Sequence, residues 1–304
     1  MIESIGDQQT NSPFLLEDEQ TYQNWRAQKL AVYPQDASGL IVEVADPRAV
    51  TESEKILMLD LLNRCNMLIY NSKLDSLEDK DIPRKLGEQL GLNHLDPNML
   101  ADDDGITSLS VVPGKLKRGY IPYSDRRLLW HTDGYYNKLG QQIRAFILHC
   151  VRPAAEGGEN GLIDPEMLYI QLRDTNPDYI RALMHPETMT IPANTESGEI
   201  TRPAQSGPVF SLDFATNCLH MRYTARTRSI EWRDDALTKQ AVDCLTSLLD
   251  DENPYVFNHI LASGQGLICN NVLHSRTAFS DTTADGRGRL LYRARYYERV
   301  SDDL

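Results

Sequence analysis

Between about residue 106 and the C-terminus the chain is cut into short apolar runs, ITSLSVV, RAFILHCV, GPVFSLD, LHMRYTA, GQGLICNNV and RLLYRARYY, separated by Gly, Pro, Asn and Asp. Runs of strand length between turn formers build antiparallel sheets, as a sandwich or barrel. Two helical stretches interrupt them. One begins at DPEMLYIQLRD, with Asp164 as cap and Pro165 in the first turn; the other covers about Asp234 to Leu249, with Leu237, Ala241, Leu245 and Leu248 on one face. The fold class this predicts is mainly β with added helices, around a double-stranded β-helix or jelly-roll core.

Ahead of residue 106 the signals are more helical. Thr51 and Glu54 make the capping box of a helix running through about Arg64. NMLIYNS reads as a strand, and IPRKLGEQLG as a second helix with Pro83 in its first turn and Gly91 at its end. The first thirty or so residues are polar. They predict an N-terminal arm or lid over residues 1–35, followed by a single jelly-roll domain over residues 36–304.

Charge narrows the partners. A net charge of −13, with no run of Lys or Arg to follow a phosphate backbone, argues against nucleic acid and against an anionic membrane surface. The N-terminal stretch lacks the basic-then-apolar pattern of a targeting signal, and no segment approaches the roughly 18 apolar residues that span a bilayer. Cys65, Cys150, Cys218, Cys244 and Cys269 are odd in number, far apart and without a C-x-x-C pair, so they read as reduced thiols. The expectation is a soluble cytoplasmic protein, with a homo-oligomer as the general expectation for an enzyme of this size.

The chemistry begins in LLWHTDGYYN, residues 128–137. On a strand, His131 and Asp133 project to one side and Thr132 to the other, which places an imidazole beside a carboxylate. A solvated turn or a hydrogen-bonded core histidine is the competing reading of this pair alone. His274, in NNVLHSRTAF, follows another apolar run. A His, Asp, His set on one face of an octahedron, with the other face open, is the arrangement of non-haem Fe(II) oxygenases. In RGRLLYRARYYER the residues Arg289, Arg293 and Arg295 fall at even spacing, on one face of a strand. Buried guanidiniums need carboxylates, and a dicarboxylate co-substrate would satisfy one of them bidentately; pairing with surface acids is the alternative. His94, His149, His185, His220 and His259 have no partner at ligand spacing and read as structural.

The order WHTD, EGGENGLID, NNVLH and then an arginine about 15 residues later resembles the TauD/TfdA group of Fe(II)/2-oxoglutarate-dependent dioxygenases, from roughly residue 40 onwards. The closing segment also resembles the γ-butyrobetaine hydroxylases. The resemblance implies that His131, Asp133 and His274 bind iron and that Arg289 holds the distal carboxylate of 2-oxoglutarate. It also implies a substrate contact at Arg293. Asn160 stands where several members carry a Thr or Ser that touches 2-oxoglutarate. The implied reaction uses O2, releases succinate and CO2, and hydroxylates an unactivated C–H bond. Halogenating members lack the carboxylate that Asp133 supplies here.

The substrate is less legible. Arg222, Arg226 and Arg228 lie at even spacing in LHMRYTARTRSIEW and are candidates to hold a substrate carboxylate, with structural ion pairs as the alternative. Tyr135 and Tyr136 either wall the pocket or pack. KLKRGYIPYSDRR, just ahead of the histidine motif, reads as a loop over the site or as a solvated one. Together these predict a small carboxylate-bearing metabolite, an amino acid or betaine. Desaturation or demethylation within the same class, a zinc hydrolase with the same ligands, and a sensor on the same fold are the alternatives.

Overall fold

The structure is a computed structural model that describes residues 12–97, 105–111, 121–196, 199–226, 230–281 and 287–301. Helices among them are α1 (Glu19–Val32), α2 (Glu52–Cys65), α3 (Asp81–Gln89), α4 (Pro165–Thr175), α5 (Pro177–Leu183) and α6 (Ala236–Ser247). None of the described helices is long and apolar enough to cross a membrane. The chain divides into two compact units, one of Met1–Tyr33, Pro165–Arg222 and Thr227–Leu249, the other of Pro34–Asp164, Tyr223–Arg226 and Asp250–Leu304.

The second unit holds the two largest sheets. Six strands lie in the order Ile41–Val44, Met67–Ser72, Gln265–Cys269, Ala145–Arg152, Leu290–Tyr296, Thr107–Leu109, the first pair parallel and the rest antiparallel. Four antiparallel strands follow the order Phe257–His259, Asn160–Ile163, Leu273–Arg276, Leu128–His131. The sheets face one another, since the Phe146 ring of the first lies 4.7 Å from the His274 ring of the second. Ala145 to Val151 are all buried, as a near-continuous apolar run requires of a strand covered on both faces. Each fully buried Ile, Leu or Phe in it contributes about 1.5–3 kcal/mol of transfer free energy.

Local rules hold well here. Thr51 and Glu54 make the capping box of α2, and Asn66 ends it in the left-handed conformation at φ 61°. The strand Met67–Ser72 and α3 lie where NMLIYNS and IPRKLGEQLG place them, with Gly91 at φ 77° just past α3. On the outer side of the larger sheet, Tyr70 Oη lies 2.8 Å from Nδ1 of the buried His149. A Cβ at Gly266 would fall 2.2 Å from the Tyr70 ring, so only glycine leaves room for it.

The first unit packs α1, α4, α5 and α6 with a three-stranded sheet, Gln205–Gly207, Met189–Ile191, Glu231–Trp232, and two hairpins. Its core is aromatic: Phe14, Tyr22 and Trp25 gather round Tyr169, which also meets Phe210 edge-on at 5.9 Å. The polar N-terminal stretch takes part through buried charge. Lys29 pairs with Glu166, and Arg173 stacks 3.8 Å over Tyr22 while donating to the carbonyls of Pro13 and Leu15.

LHMRYTA departs from a single strand. The strand ends at Met221, and Tyr223–Arg226 joins the other unit, where Thr224 bridges to His131. Arg222 and Arg226 therefore do not share one strand face, and Arg228 lies outside the described residues. Residues 115–120 of KLKRGYIPYSDRR also lie outside them.

Candidate metal centre

His131 ends the strand Leu128–His131, and His274 sits directly opposite it on Leu273–Arg276. Asp133 is not on the strand. Alternation stops at His131, and the carboxylate arrives through a turn in which Gly134 takes φ 68°. Thr132, expected to face away, is buried, and its hydroxyl bonds to the main chain of Tyr223. Asn271, left-handed at φ 51°, fixes the turn by accepting the Asp133 N–H at 2.8 Å and donating to the Asp133 carbonyl at 3.0 Å and that of Ile143 at 2.6 Å. The sequence signal for Asn271 was the Asn-Asn pair before Val272, because Asn tolerates a left-handed backbone and both donates and accepts.

His131, Asp133 and His274 are buried, and one ligand atom from each lies within 4.8 Å of the others. Nδ1 of His131 is 2.9 Å from the Leu129 carbonyl and Nδ1 of His274 is 3.0 Å from that of Val272. The proton belongs on Nδ1 in each ring, so the Nε2 lone pairs are free for a ligand. His131 Nε2 lies 3.8 Å from Asp133 Oδ1, and Asp133 Oδ2 is buried with no hydrogen-bond partner among the described residues. Two imidazole nitrogens and one orphaned carboxylate oxygen fit a divalent transition metal.

Electrostatics keep the three groups in their ligating forms. Burial, reinforced by His274, pushes His131 down to about 3, and burial lowers His274 as well. Desolvation works to raise Asp133, yet Arg293 and Arg295 outweigh it and hold the carboxyl below the usual range. Arg293 Nη1 is 3.1 Å from Asp133 Oδ1, and Arg295 Nη1 is 4.0 Å from the same atom.

Arg289 stands apart from these two arginines. It precedes the strand Leu290–Tyr296, whose register shifts between Leu290 and Leu291, and it lines a narrow cavity with Gly157, Gly158, Asn160 and Leu291. The side chain is buried, with its guanidinium 5.0 Å above the Phe279 ring, and has neither a hydrogen bond nor an ion pair among the described residues. Burial lowers its affinity for a proton. Gly158 takes φ 76° beside this cavity, a left-handed backbone that favours glycine. A buried cation with no ion pair among the described residues fits a carboxylate ligand. Asn160 shares the cavity and donates to the His259 carbonyl at 3.3 Å.

The remaining candidates divide. Tyr135 and Tyr136 meet edge-on at 5.2 Å; Tyr135 Oη accepts from Arg226 at 3.5 Å and Tyr136 Oη from Arg295 at 3.2 Å. Arg222 lies in the first unit and donates to the carbonyls of Met189, Gly207 and Gln205. Arg276 and Asp96 had no role in the sequence reading. Arg276 stacks 4.6 Å over Phe279 and donates to the Ser124 carbonyl at 2.9 Å. Asp96 pairs with Arg295 and accepts from Tyr297 at 2.7 Å.

The sequence profile of the taurine catabolism dioxygenase TauD, TfdA family matches residues 42–295, which includes all three metal-site residues and Arg289. The chain belongs to the TauD/TfdA family. As a member of the TauD/TfdA family it is an Fe(II)/2-oxoglutarate-dependent oxygenase, an oxidoreductase that consumes O2. A relative within reach of direct sequence comparison is a uridine-5'-phosphate dioxygenase of Amycolatopsis sp, 31% identical over 206 residues that cover 61% of this chain and 72% of the relative. Among solved structures, this TauD/TfdA chain is similar to an asparagine oxygenase bound to Fe(II), 2S,3S-3-hydroxyasparagine and succinate, with TM-score 0.58 and 16% identity over 95% of this chain and 86% of the other. It is also similar to the non-heme iron oxygenase OrfP bound to Fe and alpha-ketoglutaric acid, with TM-score 0.58 and 17% identity over 83% of this chain and 81% of that one.

Proposed function

We propose that this oxygenase hydroxylates an unactivated C–H bond of a small anionic metabolite, with release of succinate and CO2. The observation that carries the reading is the set of three buried ligand atoms of His131, Asp133 and His274, with a buried Arg289 that has no ion pair among the described residues as its support. The two facing sheets are then the walls of a double-stranded β-helix, and its mouth is the site.

Residue roles follow from position. His131, Asp133 and His274 hold the iron, and Arg289 takes the distal carboxylate of 2-oxoglutarate, with Asn160 lining the same cavity. When bound, iron and 2-oxoglutarate supply the oxidant for C–H cleavage from O2. The chain supplies orientation and a dry enclosure. Tyr135 and Tyr136, directly after the metal turn, wall the substrate side, and Arg226 stands at the Tyr135 hydroxyl as an anion contact. Arg293 is the inner anion contact, with one N–H on Asp133. Arg222, with donors committed to three carbonyls, supports the backbone from which the Tyr223–Arg226 segment departs.

An amino acid or betaine-like carboxylate is one substrate class that suits these cations. The name of the Amycolatopsis relative favours a second, a nucleoside 5'-phosphate. Both present an anion to arginine. The test is succinate formation from 2-oxoglutarate by the Fe(II)-loaded protein in air, across amino acids, betaines and nucleoside 5'-monophosphates, with an oxygen-free control. Oxygen-dependent succinate that rises with one panel member identifies the class. Metal binding without succinate under any condition would refute the oxygenase reading.

A further inference from the structure

Asp133 has two arginines on one of its oxygens, at unequal distances. Arg293 hydrogen-bonds Oδ1 at 3.1 Å, whereas Arg295 stops 4.0 Å from it. The reason lies in what holds Arg295. Its Nη2 is ion-paired with Asp96 Oδ2, and its Nη1 donates to Tyr136 Oη at 3.2 Å. Asp96 is fixed in its turn: Oδ1 accepts from Tyr297 Oη at 2.7 Å, and its N–H donates to the Arg295 carbonyl at 2.8 Å. Asp96 is 7% exposed and Arg295 3%, so neither charge has water to replace the other.

A guanidinium is a planar fork that grips a carboxylate with two N–H groups. Two such forks on Asp133 would occupy both oxygens and compete with a divalent cation for them. Among the described residues the structure instead leaves Oδ2 without a partner. The ion pair with Asp96 both balances the charge of Arg295 and fixes its fork in another direction.

We propose that Asp96 is a positioning residue for metal binding, which pins Arg295 away from Asp133 and so keeps the Asp133 carboxylate open to the cation. This rests on the assignment of His131, Asp133 and His274 as metal ligands. The role is electrostatic restraint of Arg295, so deleting Arg295 makes Asp96 dispensable.

Mn(II) binding, measured by titration calorimetry under nitrogen on the full chain, tests it. Wild type binds and His274→Ala does not; a wild type that fails to bind overturns the ligand assignment and this proposal with it. Asp96→Asn, which keeps the shape and removes the charge, weakens binding by about tenfold to a hundredfold. The double variant Asp96→Asn/Arg295→Met, which leaves neither charge buried alone, returns affinity to within about threefold of wild type. If Asp96→Asn binds like wild type, or the double variant is as weak as the single, the proposal is wrong while the ligand assignment stands. Should Asp96→Asn be too unstable to titrate, the double variant decides alone, and a tenfold loss in it refutes the proposal, by the same scale.

Discussion

His131 and His274 are direct cross-strand partners in antiparallel register, with imidazole centroids 4.2 Å apart. Each ring gives its Nδ1 to the carbonyl two residues earlier in the chain, Leu129 in one case and Val272 in the other. The same local bond made twice across a strand pair turns both Nε2 atoms into one gap. Two members of the candidate metal set are thus placed by strand pairing, and the third by a turn.

Asp133→Ala removes more than a ligand. It also strips Arg293 of its buried counter-ion, and breaking one partner of such a pair costs about 3–5 kcal/mol. Fe(II)-dependent succinate formation is expected to vanish, and the metal-free variant to unfold at lower denaturant than wild type. Retained turnover would remove Asp133 from the ligand set.

Arg289→Ala is expected to raise the Michaelis constant for 2-oxoglutarate far more than that for the prime substrate. Losing a charge-assisted bidentate contact costs about 2–5 kcal/mol, or some thirtyfold and upwards in affinity. Stability should change little, because the wild-type guanidinium makes no hydrogen bond or ion pair among the described residues and gives up its stacking on Phe279. Equal effects on both Michaelis constants would place Arg289 outside the 2-oxoglutarate site.

Gly161 lies on the strand beside His274, and a Cβ there would come 2.7 Å from Ser275 Oγ and 2.9 Å from the Trp130 ring. Those two residues are the chain neighbours of His274 and His131. Gly161→Ala is therefore expected to lower stability by about 1–3 kcal/mol through overpacking and to weaken Mn(II) binding with it. Unchanged metal affinity in a destabilised variant would mean that the two strands absorb the strain without moving the ligands.

Stability of the metal-free protein should rise with pH between about 4 and 6.5. His131 is depressed to about 3 and His149 to about 4, and His274 is lowered, all mainly by burial. A histidine whose folded pKa is depressed takes up its proton more readily when unfolded, so acid favours unfolding below the unfolded value of about 6.5. Each such group contributes up to about 1.4 kcal/mol per pH unit in that window and nothing further above it. Equilibrium denaturation at a series of pH values checks this; a flat profile from pH 4 to 7 would contradict it. Replacing His149 by Gln should remove part of the slope without touching metal affinity.

The caps, turns and apolar runs were readable because each depends on residues close in sequence. Thr51 and Glu54 are three apart, and the run ending at Val151 is a strand by its own content. The arginine spacing was only partly informative. A register shift separates Arg289 from Arg293 and Arg295, and a change of unit separates Arg222 from Arg226. Period-2 counting assumes an unbroken strand, and neither segment is one.

By itself, then, the sequence determined which side chains are chemically able to make such a centre, because His131 and His274 stand in apolar runs that form strands by their own content and Asp133 follows His131 by two positions. Only the tertiary structure decided how they are held. Asn271 closes the Asp133 turn from 138 positions away, and Asp96 restrains Arg295 from 199. Contacts over such separations leave no periodic mark in a sequence; they arise when two buried polar groups meet and must satisfy each other, because the interior offers them no water.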